Sequence, residues 1–141
     1  QARAERADVL RTMLKEHSDV VRPQRILEHS KHAYYSFPLF VSDSENRDSL
    51  LTKLDTEYDV YCALGYANPK TLYMCVNALR DPKQFGRNLS YSSREYPSGT
   101  CPQAEDLLQR SFLIPFNETF SMEETREIGS RLISAIRDLG Y

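Results

Sequence analysis

Glycine is scarce in this 141-residue chain, with five residues, and cysteine scarcer, with three. Gly65, Gly86 and Gly99 stand far apart, so no glycine-rich loop precedes a helix and no phosphate cradle is encoded. Cys62, Cys75 and Cys101 are odd in number and lack CxxC spacing, which excludes a disulfide framework and a zinc knuckle. Long apolar runs are missing too. Phe37 to Val41 falls far short of the ~20 residues of a membrane span, and the arginine-rich start lacks the apolar stretch of a signal peptide. Eighteen basic and twenty acidic side chains give a net charge of −2, without a block of either sign that would draw the chain to nucleic acid or an anionic membrane. These absences predict one soluble, cytoplasmic domain over residues 1–141 with no nucleic-acid or membrane partner.

What is present is a regular alternation of helix and strand signals. Val9, Leu10, Met13 and Leu14 make a buried stripe for a first helix from Arg3 to about His17, which Val20-Val21-Arg22-Pro23 ends, because a residue before proline avoids helical geometry. A loop should follow through His29 and Lys31. From Ala33 to Val41 the alternation predicts a strand with Ala33, Tyr35, Phe37, Leu39 and Val41 on one face and Tyr34, Ser36, Pro38 and Phe40 on the other. Pro38 has no N–H, so this strand belongs at an edge or turns the Pro38 nitrogen toward an unpaired side. Ser44 or Asn46 caps a helix over Arg47 to Glu57 carrying Leu50, Leu51 and Leu54, and Val60 to Leu64 reads as a second strand.

Gly65 to Ser98 is long, irregular and rich in tyrosine, the profile of a functional loop. Cys101 before Pro102 opens a short helix with Leu107 and Leu108 inward, and Phe112 to Phe116 makes a third strand. Ser121-Met122-Glu123-Glu124 is a capping box, and Ile128, Leu132, Ile136 and Leu139 form the stripe of a last helix that Gly140 ends. The sum is an α+β fold, a small antiparallel sheet of about three strands covered by helices.

Few residues carry catalytic chemistry. His29 and His32 stand three apart but on a loop, with no cysteine or carboxylate pair at ligand spacing, so no metal ligand is assigned. No GxSxG elbow positions a nucleophile, and Cys101, at a helix start, reads as a small structural residue rather than a catalytic thiol. None of Lys15, Lys31, Lys53, Lys70 or Lys83 has the surroundings a cofactor lysine needs. No catalytic or cofactor-binding residue is therefore assigned. Gly65-Tyr66-Ala67-Asn68-Pro69-Lys70-Thr71-Leu72-Tyr73 differs, since two phenols and an amide on a loop suit stacking on and hydrogen bonding to a sugar. The same rings would equally serve to pin the loop to the core.

Gly99 to Phe116, with its Cys101-Pro102-Gln103-Ala104-Glu105 run, resembles the closing segment of the DegT/DnrJ/EryC1/StrS sugar aminotransferases. The first helix, His32 to Pro38, Pro69 to Tyr73, and Gln84-Phe85-Gly86 with Tyr96 to Gly99 are similar to that family's small C-terminal domain in the same order. The resemblance implies part of a fold-type I enzyme in which pyridoxal phosphate (PLP) carries an amino group, commonly from glutamate or glutamine, to a keto sugar or nucleotide-sugar. It further implies a homodimeric full-length enzyme whose large PLP-binding domain is the partner of this one. The PLP lysine is expected on that N-terminal domain, absent from this chain, so that the chain alone binds no cofactor and has no activity. Tyr66, Asn68 and Tyr73 would face the substrate, although Tyr73 stands where many relatives carry histidine. The alternative is a stand-alone module of the same fold that binds a carbohydrate or a protein.

Overall fold

The computed structural model describes residues 2–64 and 96–140. Helix α1 (Ala2–Met13) tightens into a 3-10 turn over Leu14–His17, and strand β1 (Val21–Pro23) follows. Strand β2 (Ser36–Val41) leads into α2 (Ser44–Thr56). After residue 96 come α3 (Pro102–Gln109), β3 (Ser111–Pro115) and α4 (Met122–Asp138). The strands form one antiparallel sheet in the order β1-β2-β3, which is the α+β layer the alternation predicts.

The sheet has one deeply buried face. Phe37, Leu39 and Val41 of β2 sit beside Val21 of β1 and Phe112 and Ile114 of β3, all buried, and join Ala7, Leu10, Leu14, Leu50, Leu54, Leu132 and Ile136 from the helices in one core. Ser36, Pro38, Phe40, Leu113 and Pro115 on the other face are half-buried. Helices α1 and α4 cross closely at Gly129, where an added Cβ would lie 2.7 Å from Met13 Sδ and 3.2 Å from Leu10 Cδ2. The buried line of α4 therefore runs through Thr125, Gly129, Leu132, Ala135 and Ile136, with Ile128 and Leu139 only half-buried at its flanks. Glycine stands at this point of the seam because the Met13 and Leu10 side chains fill the space a Cβ would need.

Prolines decide the sheet's edges. Pro38 lies in the central strand, not at an edge, and its nitrogen faces β1 just beyond the end of that strand. Gln24 N donates to Pro38 O at 3.2 Å, but Pro38 cannot return the bond, and Arg11 Nη1 donates to the unclaimed Gln24 carbonyl instead at 2.8 Å. The same register turns the Pro23 nitrogen to the open side of β1. Pro115 corrects the reading of 60–64 as a strand. Ala63 and Leu113 exchange both backbone bonds, at 2.7 and 2.8 Å, but the next bonded pair would need an N–H from Pro115. Among the described residues the pairing of this segment is a single bridge.

Four further expectations change. Val21–Pro23 is a strand rather than the head of a loop, because the extended geometry forced on Arg22 by Pro23 suits pairing with β2. Strand β2 starts at Ser36, not Ala33. Tyr34 takes φ +48°, which breaks the alternation, so Tyr34 is buried and Tyr35 exposed. The cap of α2 is Asp43, whose Oδ1 accepts from Asn46 N at 2.8 Å, and neither Ser44 nor Asn46 fills that place. On α3 neither leucine is buried: Leu107 is exposed and Leu108 half-buried, since the helix meets the body mainly at β3. The α4 capping box forms as expected, with Ser121 Oγ accepting from Glu124 N and Glu124 Oε2 from Ser121 N.

Candidate functional site

At the end of the sheet where β2 begins and β3 ends, a cleft of about 440 Å³ opens between Tyr35, Ser36, Leu64, Pro115, Phe116 and Asn117. Each wall follows from the local fold. The left-handed turn at Tyr34 sends that ring inward, 4.5 Å from the His32 ring centre and 6.2 Å from Phe37, and leaves the Tyr35 ring 73% exposed at the rim. Phe116 supplies the floor and is held in an aromatic row between Phe37 (5.9 Å) and Phe120 (6.3 Å, edge-on). Leu64 is brought in by the bridge at Ala63. Asn117 Oδ1 accepts from Thr119 N and Thr119 Oγ1, an Asx turn that fixes the orientation of its amide. Arg3, also on the cleft, donates from Nε to Glu118 at 2.6 Å, so its charge is met.

The Cys101 to Glu105 run is a second built feature. Both Glu105 oxygens accept from Gly99 N, at 2.9 and 3.0 Å, and Oε1 accepts from Cys101 N at 3.1 Å. Gly99 has φ +87°, where a side chain would be strained. Cys101 gives α3 no side-chain cap, and Pro102 has no N–H, so the carboxylate of Glu105 meets the donors at the helix start. At the other end Arg110 pairs with Asp106 and donates to the Val41 carbonyl at 3.1 Å, and its guanidinium holds the Asp106 carboxyl below the usual carboxylate range. The run is an anchor for backbone, with its helix start filled from within.

Tyr66, Asn68 and Tyr73 lie outside the described residues, as do Lys70, Lys83 and Cys75. His29 is exposed, and His32 Nδ1 accepts from Tyr34 N at 2.9 Å. Among the described residues no three histidine, cysteine or acidic side chains cluster to hold a metal. Cys101 is exposed, while burial first, and then Asp55, push the Cys62 thiol up to about 12. Lys15 and Lys31 are exposed. Lys53 Nζ bonds Glu57 at 2.7 Å and lies 3.8 Å from Asp138, and the Glu57 hydrogen bond raises its pKa, the reverse of the neutral amine a Schiff base requires. Of the described residues, then, no lysine fits the aldehyde carbon of PLP.

A profile of the DegT/DnrJ/EryC1/StrS aminotransferase family matches residues 1–133. The chain belongs to that family. Comparison with curated protein sequences gave no match. Among solved structures, an aminotransferase TlmJ from Streptoalloteichus hindustanus superposes with a TM-score of 0.70 at 18% identity, covering 99% of this chain and 32% of that one. A DegT/DnrJ/EryC1/StrS aminotransferase from Brucella abortus gives 0.66 at 20%, covering 94% and 30%. NtdA from Bacillus subtilis, whose structure holds the cofactor PMP, gives 0.70 at 22%, covering 96% and 28%. The chain thus spans about a third of the length of these relatives and has the fold of the part it matches.

The cleft of this family domain was not legible in the sequence. Tyr35 falls on the same face of the predicted strand as Phe37, Leu39 and Val41, Ser36 falls on the opposite face, and Asn117 has no assigned role. The one available signal was a run of two aromatic residues directly before the strand, which strict alternation cannot accommodate on one face.

Proposed function

We propose that the chain is the smaller, C-terminal domain of a PLP-dependent aminotransferase that moves an amino group, from glutamate or glutamine, onto a keto sugar or nucleotide-sugar. The observation that carries this reading is the superposition of 94–99% of the chain on about 30% of each solved family member. PLP, when bound, supplies the electron sink that accepts and hands on the amino group. The chain's own part is to bind, orient and exclude water, since ordered walls around a reacting centre strengthen its electrostatics. The lysine that PLP needs belongs to the large domain in this reading, as do the phosphate contacts, and the assembled enzyme is a cytoplasmic homodimer.

The test is direct. The purified chain is mixed with PLP, reduced with borohydride and weighed by intact mass spectrometry. The expected result is no stoichiometric adduct on any lysine. A single lysine modified one-to-one, with absorbance that titrates to saturation, would overturn the partial-domain reading and make this chain a PLP protein in its own right.

A further inference from the structure

We infer that Tyr34 and Tyr35 form a two-position device, in which two backbone registers compete at the start of β2 and exchange the ring in the core with the ring at the cleft. In the observed register Tyr34 is 5% exposed and Tyr35 73% exposed. In the second, β2 runs back to Ala33 as unbroken strand, Tyr35 turns inward beside Phe37, and Tyr34 joins Ser36 on the cleft side. Successive strand residues face opposite ways, so the swap needs only the loss of the left-handed turn at Tyr34.

The observed register carries a cost. Tyr34 has φ +48°, a region in which an aromatic residue is strained, and its buried hydroxyl finds no hydrogen bond of normal geometry. Arg11 of α1 acts on that hydroxyl through its charge without such a bond, its Nη1 being joined to the Gln24 carbonyl at 2.8 Å. What holds Tyr34 in place is of comparable size: its N–H donates to His32 Nδ1 at 2.9 Å, and the two ring centres lie 4.5 Å apart. A balance of this kind leaves the second register populated at about 1–10%, the upper part of the range for a minor state. Both rings are tyrosines, so the space one leaves in the core the other fills at equal volume. The chain before them is free to follow, since Leu27 to Lys31 and Ala33 are exposed and His32 is half-buried. At the cleft the rim ring steps back one residue, a rise of about 3.3 Å. The exchange therefore lengthens the cleft while Phe116, held between Phe37 and Phe120, keeps the floor.

Fluorine NMR on the chain labelled with fluorotyrosine tests this, with Tyr34→Phe and Tyr35→Phe assigning the two signals. Exchange, read as relaxation dispersion or as saturation transfer to a minor signal, is expected at both rings with one shared rate and one shared minor population. None is expected at Tyr58, whose hydroxyl is bonded to Asp138. Tyr35→Ser removes the competing ring, so exchange at Tyr34 should vanish. Tyr34→Ala empties the core position and places alanine at a φ it disfavours, so Tyr35 should move in and its nitration by tetranitromethane should slow about fivefold or more. Tyr61, 72% exposed and outside the cleft, should keep its nitration rate. No exchange at either ring, exchange at Tyr34 that survives in Tyr35→Ser, or an unchanged Tyr35 nitration rate in folded Tyr34→Ala would each overturn the inference. If Tyr34→Ala unfolds, the exchange in the native chain alone decides.

Discussion

Glu105 is the residue whose role the structure changes most. In the sequence it is the last letter of a family-like run; in the fold its carboxylate accepts from the N–H groups of Gly99 and Cys101 at the start of α3. Glu105→Ala leaves those donors to solvent and is expected to cost about 1–2 kcal/mol, the range for losing a helix cap. Thermal melting of the two proteins reads it. The cysteines give a second prediction at this scale. With Cys75→Ser as background, a thiol reagent at pH 8 should label exposed Cys101 roughly a hundredfold faster than Cys62, whose pKa near 12 and burial keep it un-ionised. The sequence could mark Cys101 as a helix-start residue but could not reveal this difference, because the burial of Cys62 depends on packing remote from its own string. Nor could it reveal Tyr35, because a single positive φ at Tyr34 exchanges the inner and outer faces and leaves no mark in the hydrophobic pattern.

At the scale of elements, local signals were legible and remote ones were not. The capping box of α4 depends on residues three apart and forms as read. Its Glu124 carboxyl is held below the usual range, chiefly by the Ser121 backbone N–H and then by the Ser121 side chain. A depressed carboxylate contributes stability that is full above its unfolded value, about 4.3, and is lost as pH falls through the lower folded value. Melting temperature should therefore hold near neutral pH and drop below about pH 5, and Glu124→Gln should flatten part of that acid limb. Asp106, paired with Arg110, acts in the same direction. The 60–64 segment fails as a strand for a reason that lies far along the chain. Pro115 withholds the donor that its second pairing would use, and no window around Val60 contains that information.

For the whole molecule, the order of helices and strands was readable because each buries one stripe on a common core, and that order sufficed to reach the fold. The loop on which the sequence places Tyr66, Asn68 and Tyr73 lies outside the described residues, so the site visible in the structure is a different one, built at the sheet's end. Tyr35, Tyr61 and Leu64 are exposed there or nearby, in a chain that spans about a third of its solved relatives. Exposed apolar surface of this kind promotes association. The isolated chain should gain apparent mass with concentration in light scattering, and Tyr61→Ser with Leu64→Ser should reverse that trend; a constant monomer mass would refute it.

Each of the three strands carries a proline: Pro23, Pro38 and Pro115. Two of them turn their missing donor away from β2, so among the described residues, beyond the bridge at Ala63, the outer edges of β1 and β3 each lack one donor that an incoming strand would use. Contact with a neighbouring body is thereby confined to side-chain surfaces, which can be pressed together and parted without unpicking a ladder of hydrogen bonds.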